Sequence, residues 1–227
     1  APVLAIIYPT ASALITNNKP SITWTVTDDD SGVNRQLLAL PLILEEDHRD
    51  SISKTAISGG YKCTYTPGTA LADGSHTIKV DASDYDGNAA SQKSVTFKID
   101  TVPPTLSVTS PADGFVNKQA VVSSGTTNDL TSSPVSVTVK LNNGNAEAAT
   151  VASNGSWSKT ITLVEGTNTI TVVATDSAGK STTVTRTVKL DTKAPVIKSV
   201  TLTPNPVDTE KTVVISVELL TDKGGGN

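Results

Sequence analysis

The stretch Asp73–Asn88 reads DGSHTIKVDASDYDGN, and 92 residues further on Glu165–Lys180 reads EGTNTITVVATDSAGK. In both, an acid-Gly pair opens a run of alternating apolar and polar residues that ends at an Asp just before a second Gly turn. A period of two buries one face of a strand and wets the other, and glycine supplies the positive φ that tight hairpins require. A second pair of anchors follows, DTVPPTL from Asp100 and DTKAPVI from Asp191, 91 residues apart. Two successive copies of one β unit explain both offsets, and a repeat of this kind sets the organisation of the whole chain.

Each Asp-Thr-x-x-Pro segment closes one unit and opens the next. Pro104 and Pro195 lack an N–H and force the residue before them into an extended conformation. The expected domains are residues 1–102, residues 103–193, and an incomplete third unit over 194–227. The third holds only opening strands, so its edges await missing sequence or strands from a neighbouring chain. With no Met anywhere, an initiator included, the chain reads as a mature or partial piece of something longer.

Within the units, alternation marks individual strands. Ile22, Trp24 and Val26 share one face, with Thr23, Thr25 and Thr27 on the other. Val135, Val137, Val139 and Leu141 repeat the pattern, as do Ile170, Val172 and Ala174, and Val184, Val188 and Leu190 around Arg186. Asn143-Gly144, Asn154-Gly155, Asp73-Gly74, Asp86-Gly87 and Ala178-Gly179 supply the turns between them. Short strands at such spacing define a sandwich, and the connections are too short for helical crossovers. Composition agrees: 35 Thr, 24 Ser and 25 Val make 84 of 227 residues, and the β-branched Thr and Val among them argue against helical bundles.

Composition also narrows function. The formal charge of -4, with basic residues scattered singly, offers no phosphate-tracking surface, so nucleic acid is not an expected partner. No apolar run approaches the ~18 residues that span a bilayer, and no signal-like segment opens the chain, so membrane insertion is not expected. Cys63 is the single cysteine and shares a face with Tyr61 and Tyr65, as a small buried hydrophobe would.

The second unit, with SPADGFVNKQAVVSSGTTND from Ser110, SVTVKLNNG from Ser136 and GSWSKTITLVEGTNTITVVATDSAGKSTTVTRTVKLDTKAP from Gly155, resembles the bacterial immunoglobulin-like repeats of secreted, cell-surface and phage virion proteins. The first unit resembles them over Ile15–Gly32 and Gly59–Pro104. The resemblance implies an all-β chain of tandem immunoglobulin-like Greek-key β-sandwiches, acting outside the cell or on a virion as stalk, spacer or adhesive module. It also implies no catalytic residue. Some such repeats accompany glycoside hydrolases, so a carbohydrate-binding accessory module is the alternative. The partners expected are neighbouring Ig-like domains or subunits of the same assembly, with a cell-surface glycan as a further one.

Acidic clusters are the ligand-like features: Asp28-Asp29-Asp30, then Asp84 with Asp86 and Asn88, Asp100 at the junction, and Asp176 and Asp191 in the second unit. Asp84, Asp86, Asn88 and Asp100 are the candidate metal set; crowded carboxylates of this kind hold calcium, which would stiffen a tandem array. In the second unit Ala178 and Lys180 stand in for Asp86 and Asn88. The competing account is that these side chains bond backbone N–H groups within the turn. No other cofactor is expected. Asp73, Ser75 and His76 form a turn rather than a triad, because adjacent strand residues point to opposite faces. Trp24 and Trp157 are placed inward by their neighbours, leaving Tyr85, at a turn tip, as the candidate sugar-stacking aromatic.

One segment breaks the pattern. Residues 34–50 read NRQLLALPLILEEDHRD, with Leu37, Leu38, Leu40, Leu42, Ile43 and Leu44 too apolar for a wet edge and Pro41 unsuited to a central strand. Three accounts stay open: a strand covered by its surroundings, an intermolecular contact surface, or a local sequence error. Glu45, Glu46, Asp47 and Asp50 read as a solvated charge run.

Overall fold

A computed structural model describes residues 1–34, 52–203 and 212–220, all strands, turns and connecting segments. The apolar segment Leu37–Leu44 and the acidic run after it lie outside these residues.

Seven strands occupy the first part of the chain: β1 (Val3–Tyr8), β2 (Leu14–Ile15), β3 (Ile22–Thr27), β4 (Ser53–Ile57), β5 (Gly60–Tyr65), β6 (Gly74–Val80) and β7 (Lys93–Ile99). They form one sheet in the order β1-β3-β5-β4 and a second in the order β2-β7-β6. Successive strands β1 and β2 thus belong to different sheets. β1 pairs antiparallel with β3, and β2 pairs parallel with β7 through Leu14↔Lys98 and Ile15↔Ile99. Switching sheets in this way lets one N-terminal segment supply an edge strand to each sheet of an immunoglobulin-like sandwich.

The period of two does what the sequence requires. Ile22, Trp24 and Val26 of β3 are completely buried, while Thr23, Thr25 and Thr27 between them are half-buried. Ile78, Val80, Phe97 and Ile99 face them from the second sheet and join one core cluster with Cys63, Tyr65 and Leu71. Each such side chain removed from water contributes about 1.5–3 kcal/mol, so this layer dominates the stability of the body.

Nine strands follow: β8 (Thr105–Ser110), β9 (Gly114–Val116), β10 (Ala120–Asn128), β11 (Ser136–Leu141), β12 (Ala146–Ala148), β13 (Thr150–Val151), β14 (Ser156–Thr162), β15 (Gly166–Thr175) and β16 (Ser181–Leu190). Their sheets run β13-β14-β10-β8 and β12-β11-β15-β16-β9. The switching device recurs, with β9 parallel to β16 through Val188↔Gly114 and Leu190↔Val116. Val137, Val139, Trp157, Leu163, Ile170, Val172, Ala174, Val188 and Leu190 are buried. Arg186 interrupts the apolar face of β16 by donating from Nη2 to the Val108 carbonyl at 2.9 Å, with Nη1 3.6 Å from Asp113.

One detail differs from the expected turns. Gly74, Gly87, Gly155 and Gly179 take positive φ, but at the Asn143-Gly144 turn it is Asn142 that does so, at 50°. Asn tolerates this region because its side chain bonds locally; here Asn142 Oδ1 accepts from the Thr169 N–H at 2.7 Å. The remaining strands, β17 (Val196–Thr203) and β18 (Val214–Leu220), pair antiparallel with each other and leave Val196, Ile197, Val200, Ile215 and Val217 exposed.

By compactness the described residues divide into two units. The first comprises Ala1–Pro104 with the loops Asn128–Val135 and Thr175–Ser181, and the second comprises Thr105–Thr127, Ser136–Ala174 and the chain from Thr182.

Candidate functional site

Polar side chains of the first unit gather at two places, set apart by the β6–β7 ladder. Gly74↔Ile99 lies at one end of this ladder and Val80↔Lys93 at the other. Asp84 follows the second end and Asp100 the first, so six strand steps of ~3.4 Å, roughly 20 Å, separate the two levels. The structure therefore divides the expected set of Asp84, Asp86, Asn88 and Asp100 between two places.

At the Asp84 end, the turn is tied by its own side chains. Asp84 is 2% exposed and accepts from the Asn88 backbone N–H and from Asn88 Nδ2, both at 2.8 Å. The Asn88 amide, above all, holds the Asp84 carboxyl below the usual carboxylate range; the Asn88 N–H and the amino-terminal ammonium act in the same direction against the opposing effect of burial. Asp28 joins from the end of β3, accepting from the N–H groups of Asp30 at 3.1 Å and Gly32 at 3.0 Å. The Ala1 ammonium lies 3.5 Å from Asp28 and 3.6 Å from Asp84. Asp86 is exposed and Tyr85 stands 64% exposed at the turn.

At the other end, Asp100, Asp129 and Asp176 bring one carboxylate oxygen each to within 4.8 Å of one another. Asp100 and Asp176 are buried and Asp129 is half-buried. Each is oriented by backbone donors: Val102 N–H at 3.3 Å for Asp100, Thr131 and Ser132 N–H at 2.8 and 2.6 Å for Asp129, and Lys180 N–H at 2.9 Å for Asp176. The hydroxyl of buried Ser132 donates to the second oxygen of Asp100. Asp129 and Ser132 were not among the expected residues; Asp176 was noted as a strand-end acid outside the candidate metal set, and Asp100 was in that set with other partners.

The remaining candidates have structural roles. Cys63 is completely buried, and that burial pushes its thiol up to about 11 against a weaker opposing pull from Lys54. His76 Nε2 lies 2.7 Å from the Ala72 carbonyl and its ring packs against Phe97, so it is not directed at Ser75. Trp24 and Trp157 are in the core, each with its indole Nε1 unpartnered. Two exposed aromatics were missed, Tyr8 and Phe115; Phe115 of β9 is 59% exposed, with Lys189 Nζ 5.2 Å from its ring centre. Phe115 borders a cleft of about 740 Å³ in the second unit, also lined by Lys118, Val121, Asp191 and Lys193.

Strand order, paired parallel edges and alternating cores define the class, an all-β chain of immunoglobulin-like sandwiches. Comparison with known proteins places residues 10–101 on the bacterial Ig-like domain and residues 104–192 on glucodextranase domain B. The resemblance to bacterial immunoglobulin-like repeats is thus matched by a family model over the first unit. Over 135 residues it is 33% identical to Bacillopeptidase F of Bacillus subtilis (strain 168), a stretch covering 59% of this chain and 9% of that protein. The chain thus spans only a small part of that relative's length. Among solved structures, it is similar to the fibronectin(III)-like modules of Clostridium thermocellum CbhA, at 17% identity and a TM-score of 0.44, covering 83% of this chain and 94% of that one. It is also similar to Rst D1-D2, at 10% identity and a TM-score of 0.48, covering 83% and 99%. No helix among the described residues is long and apolar enough to cross a membrane.

Proposed function

We propose that the chain is a non-catalytic spacer or adhesive segment of an extracellular protein, borne on a bacterial surface or a phage virion. Its working partners are then neighbouring Ig-like domains or other subunits of the same assembly. The observation that supports this reading is how strand-end acids are used in both copies of the module. Asp84 and Asp176 fasten their own turns by accepting from the N–H four residues on, and Asp73 and Glu165 fasten Thr101 and Thr192. Side chains committed to backbone donors at module ends favour mechanical persistence over turnover.

The second reading, a carbohydrate-binding accessory module, draws on the likeness of residues 104–192 to glucodextranase domain B and on the open cleft beside Phe115. An exposed ring beside polar groups can stack on a sugar face while hydrogen bonds fix its hydroxyls. A glycan array probed with the 227-residue chain separates the two. A blank array supports the spacer; a hit that Phe115→Ala abolishes while Tyr85→Ala leaves it intact supports the binder and assigns it to this cleft.

A further inference from the structure

We infer that Asp100, Asp129 and Asp176 form a calcium site. The inference goes beyond the spacer reading and does not depend on it.

Three formal negative charges meet within 4.8 Å, two of them on buried side chains. Among the described residues none of the three makes a salt bridge. Buried carboxylates without a counter-charge are costly, and like charges at such separations repel strongly. Hydrogen bonds do not remove that cost. The backbone donors reach Oδ1 of each residue, and Ser132 supplies one further hydroxyl, to Asp100. Asp176, which is 6% exposed, keeps its Oδ2 buried and without any hydrogen-bond partner. An acceptor oxygen so placed, on a carboxylate that meets two others, is disposed to bind a cation.

The repeat supports the same conclusion. Asp84 and Asp176 are 92 residues apart and make the same turn, each N–H bonding the carbonyl of the residue four ahead and each Oδ1 accepting that residue's N–H. Asp28 and Asp129 both follow a strand and cap the N–H two residues on. Around Asp129 and Asp176 the third group is another carboxylate, Asp100. The donors are all hard oxygens, which excludes metals that prefer sulfur or imidazole. Calcium accepts irregular sets of carboxylate and hydroxyl oxygens, whereas magnesium demands a tight octahedron. The turns already orient each carboxylate, so binding needs little rearrangement.

The test is calorimetric titration of the chelator-treated 227-residue chain with calcium chloride or magnesium chloride, alongside thermal melts in chelator and in calcium. The expected result is calcium binding and a higher melting temperature in calcium, with magnesium much weaker. Asp176→Asn and Asp129→Asn should each lose the calcium response, and in chelator melt no lower than the unaltered chain. Asparagine keeps an oxygen for the turn N–H but removes one repelling charge. An acid with only a structural role would give the opposite, a lower melting point in chelator. Asp129 is half-buried, so its variant serves if Asp176→Asn does not fold. Asp84→Asn should keep the response. Absence of any heat or melting shift at about 10 mM calcium, well above the millimolar affinities of the weakest extracellular modules, overturns the inference. So does a response that survives in both variants, or one that Asp84→Asn removes and Asp176→Asn does not.

Discussion

The carboxylate of Asp73 accepts two hydrogen bonds from Thr101, from its backbone N–H at 3.0 Å and from its hydroxyl at 2.9 Å. Glu165 does the same for Thr192, at 3.2 Å for the N–H and 3.0 Å for the hydroxyl. The Asp-Thr-x-x-Pro segments are therefore held by the acid that precedes the Gly turn of each repeat. Removing only the hydroxyl, with Thr101→Val, should cost about 1.5 kcal/mol, since the acceptor is charged and the bond is part-buried. Thr192→Val should cost less than half as much because its pair is exposed. Urea unfolding of the two variants checks the ranking, and equal losses would contradict the role given to burial.

Acid sensitivity should centre on the turn at Asp84. Its folded carboxyl titrates below the ordinary carboxylate range, chiefly because of the Asn88 amide. A lowered folded value means a contribution to stability that is complete above the unfolded carboxylate pKa of ~3.9 and lost as pH falls through the folded one. Asn88→Ala should raise the Asp84 titration midpoint toward the ordinary value and make the chain unfold at a higher pH on acidification. Carboxyl chemical shifts followed by NMR report the first effect, and acid unfolding curves the second.

Cys63 has the opposite sign. Burial disfavours its thiolate and raises the thiol to about 11, so this group's contribution is complete below the unfolded thiol range and lost as pH rises toward that value. In native buffer near neutrality a thiol reagent should label Cys63 only as fast as the surrounding core opens. Labelling in denaturant should be immediate. Rapid labelling of the folded chain would show that the β3–β5 layer is not closed over the sulfur.

What the sequence makes legible is governed by how local each constraint is. The burial of Trp24 follows from its neighbours Ile22 and Val26, because a strand imposes a period of two on adjacent residues. The Asp84 turn is readable because its partner Asn88 lies four residues away and the repeat presents the same turn at Asp176. Asp129 escaped because its counterpart Asp28 sits at a spacing of 101, not 92, so alignment of the repeats does not pair them. Its meeting with Asp100 and Asp176 is set by tertiary structure alone. Phe115 lies on a three-residue strand, too short to show which side of the alternation faces out. Asn142 took the left-handed position expected of glycine because an amide that bonds Thr169 can offset the strain.

Gly125 offers the sharpest test of packing in the second sandwich. It sits in the middle of β10, opposite Trp157 of β14, where a strand ordinarily favours a β-branched residue. A Cβ there would lie 1.8 Å from the Ser107 carbonyl oxygen and 3.0 Å from Cζ2 of Trp157. The first contact is with backbone, which cannot rotate away, so either β8 or the Trp157 ring must be displaced. Overpacking of this kind costs about 1–3 kcal/mol, and a rigid neighbour puts Gly125→Ala at the upper end. Gly68 meets nothing within 4 Å of its would-be Cβ and has no positive φ, so Gly68→Ala should be neutral or slightly stabilising through the unfolded chain. Thermal melts of both variants, with Trp fluorescence followed for Gly125→Ala, measure the contrast. Equal melting temperatures would mean that β8 and β10 do not approach each other as closely as the backbone of Gly125 requires.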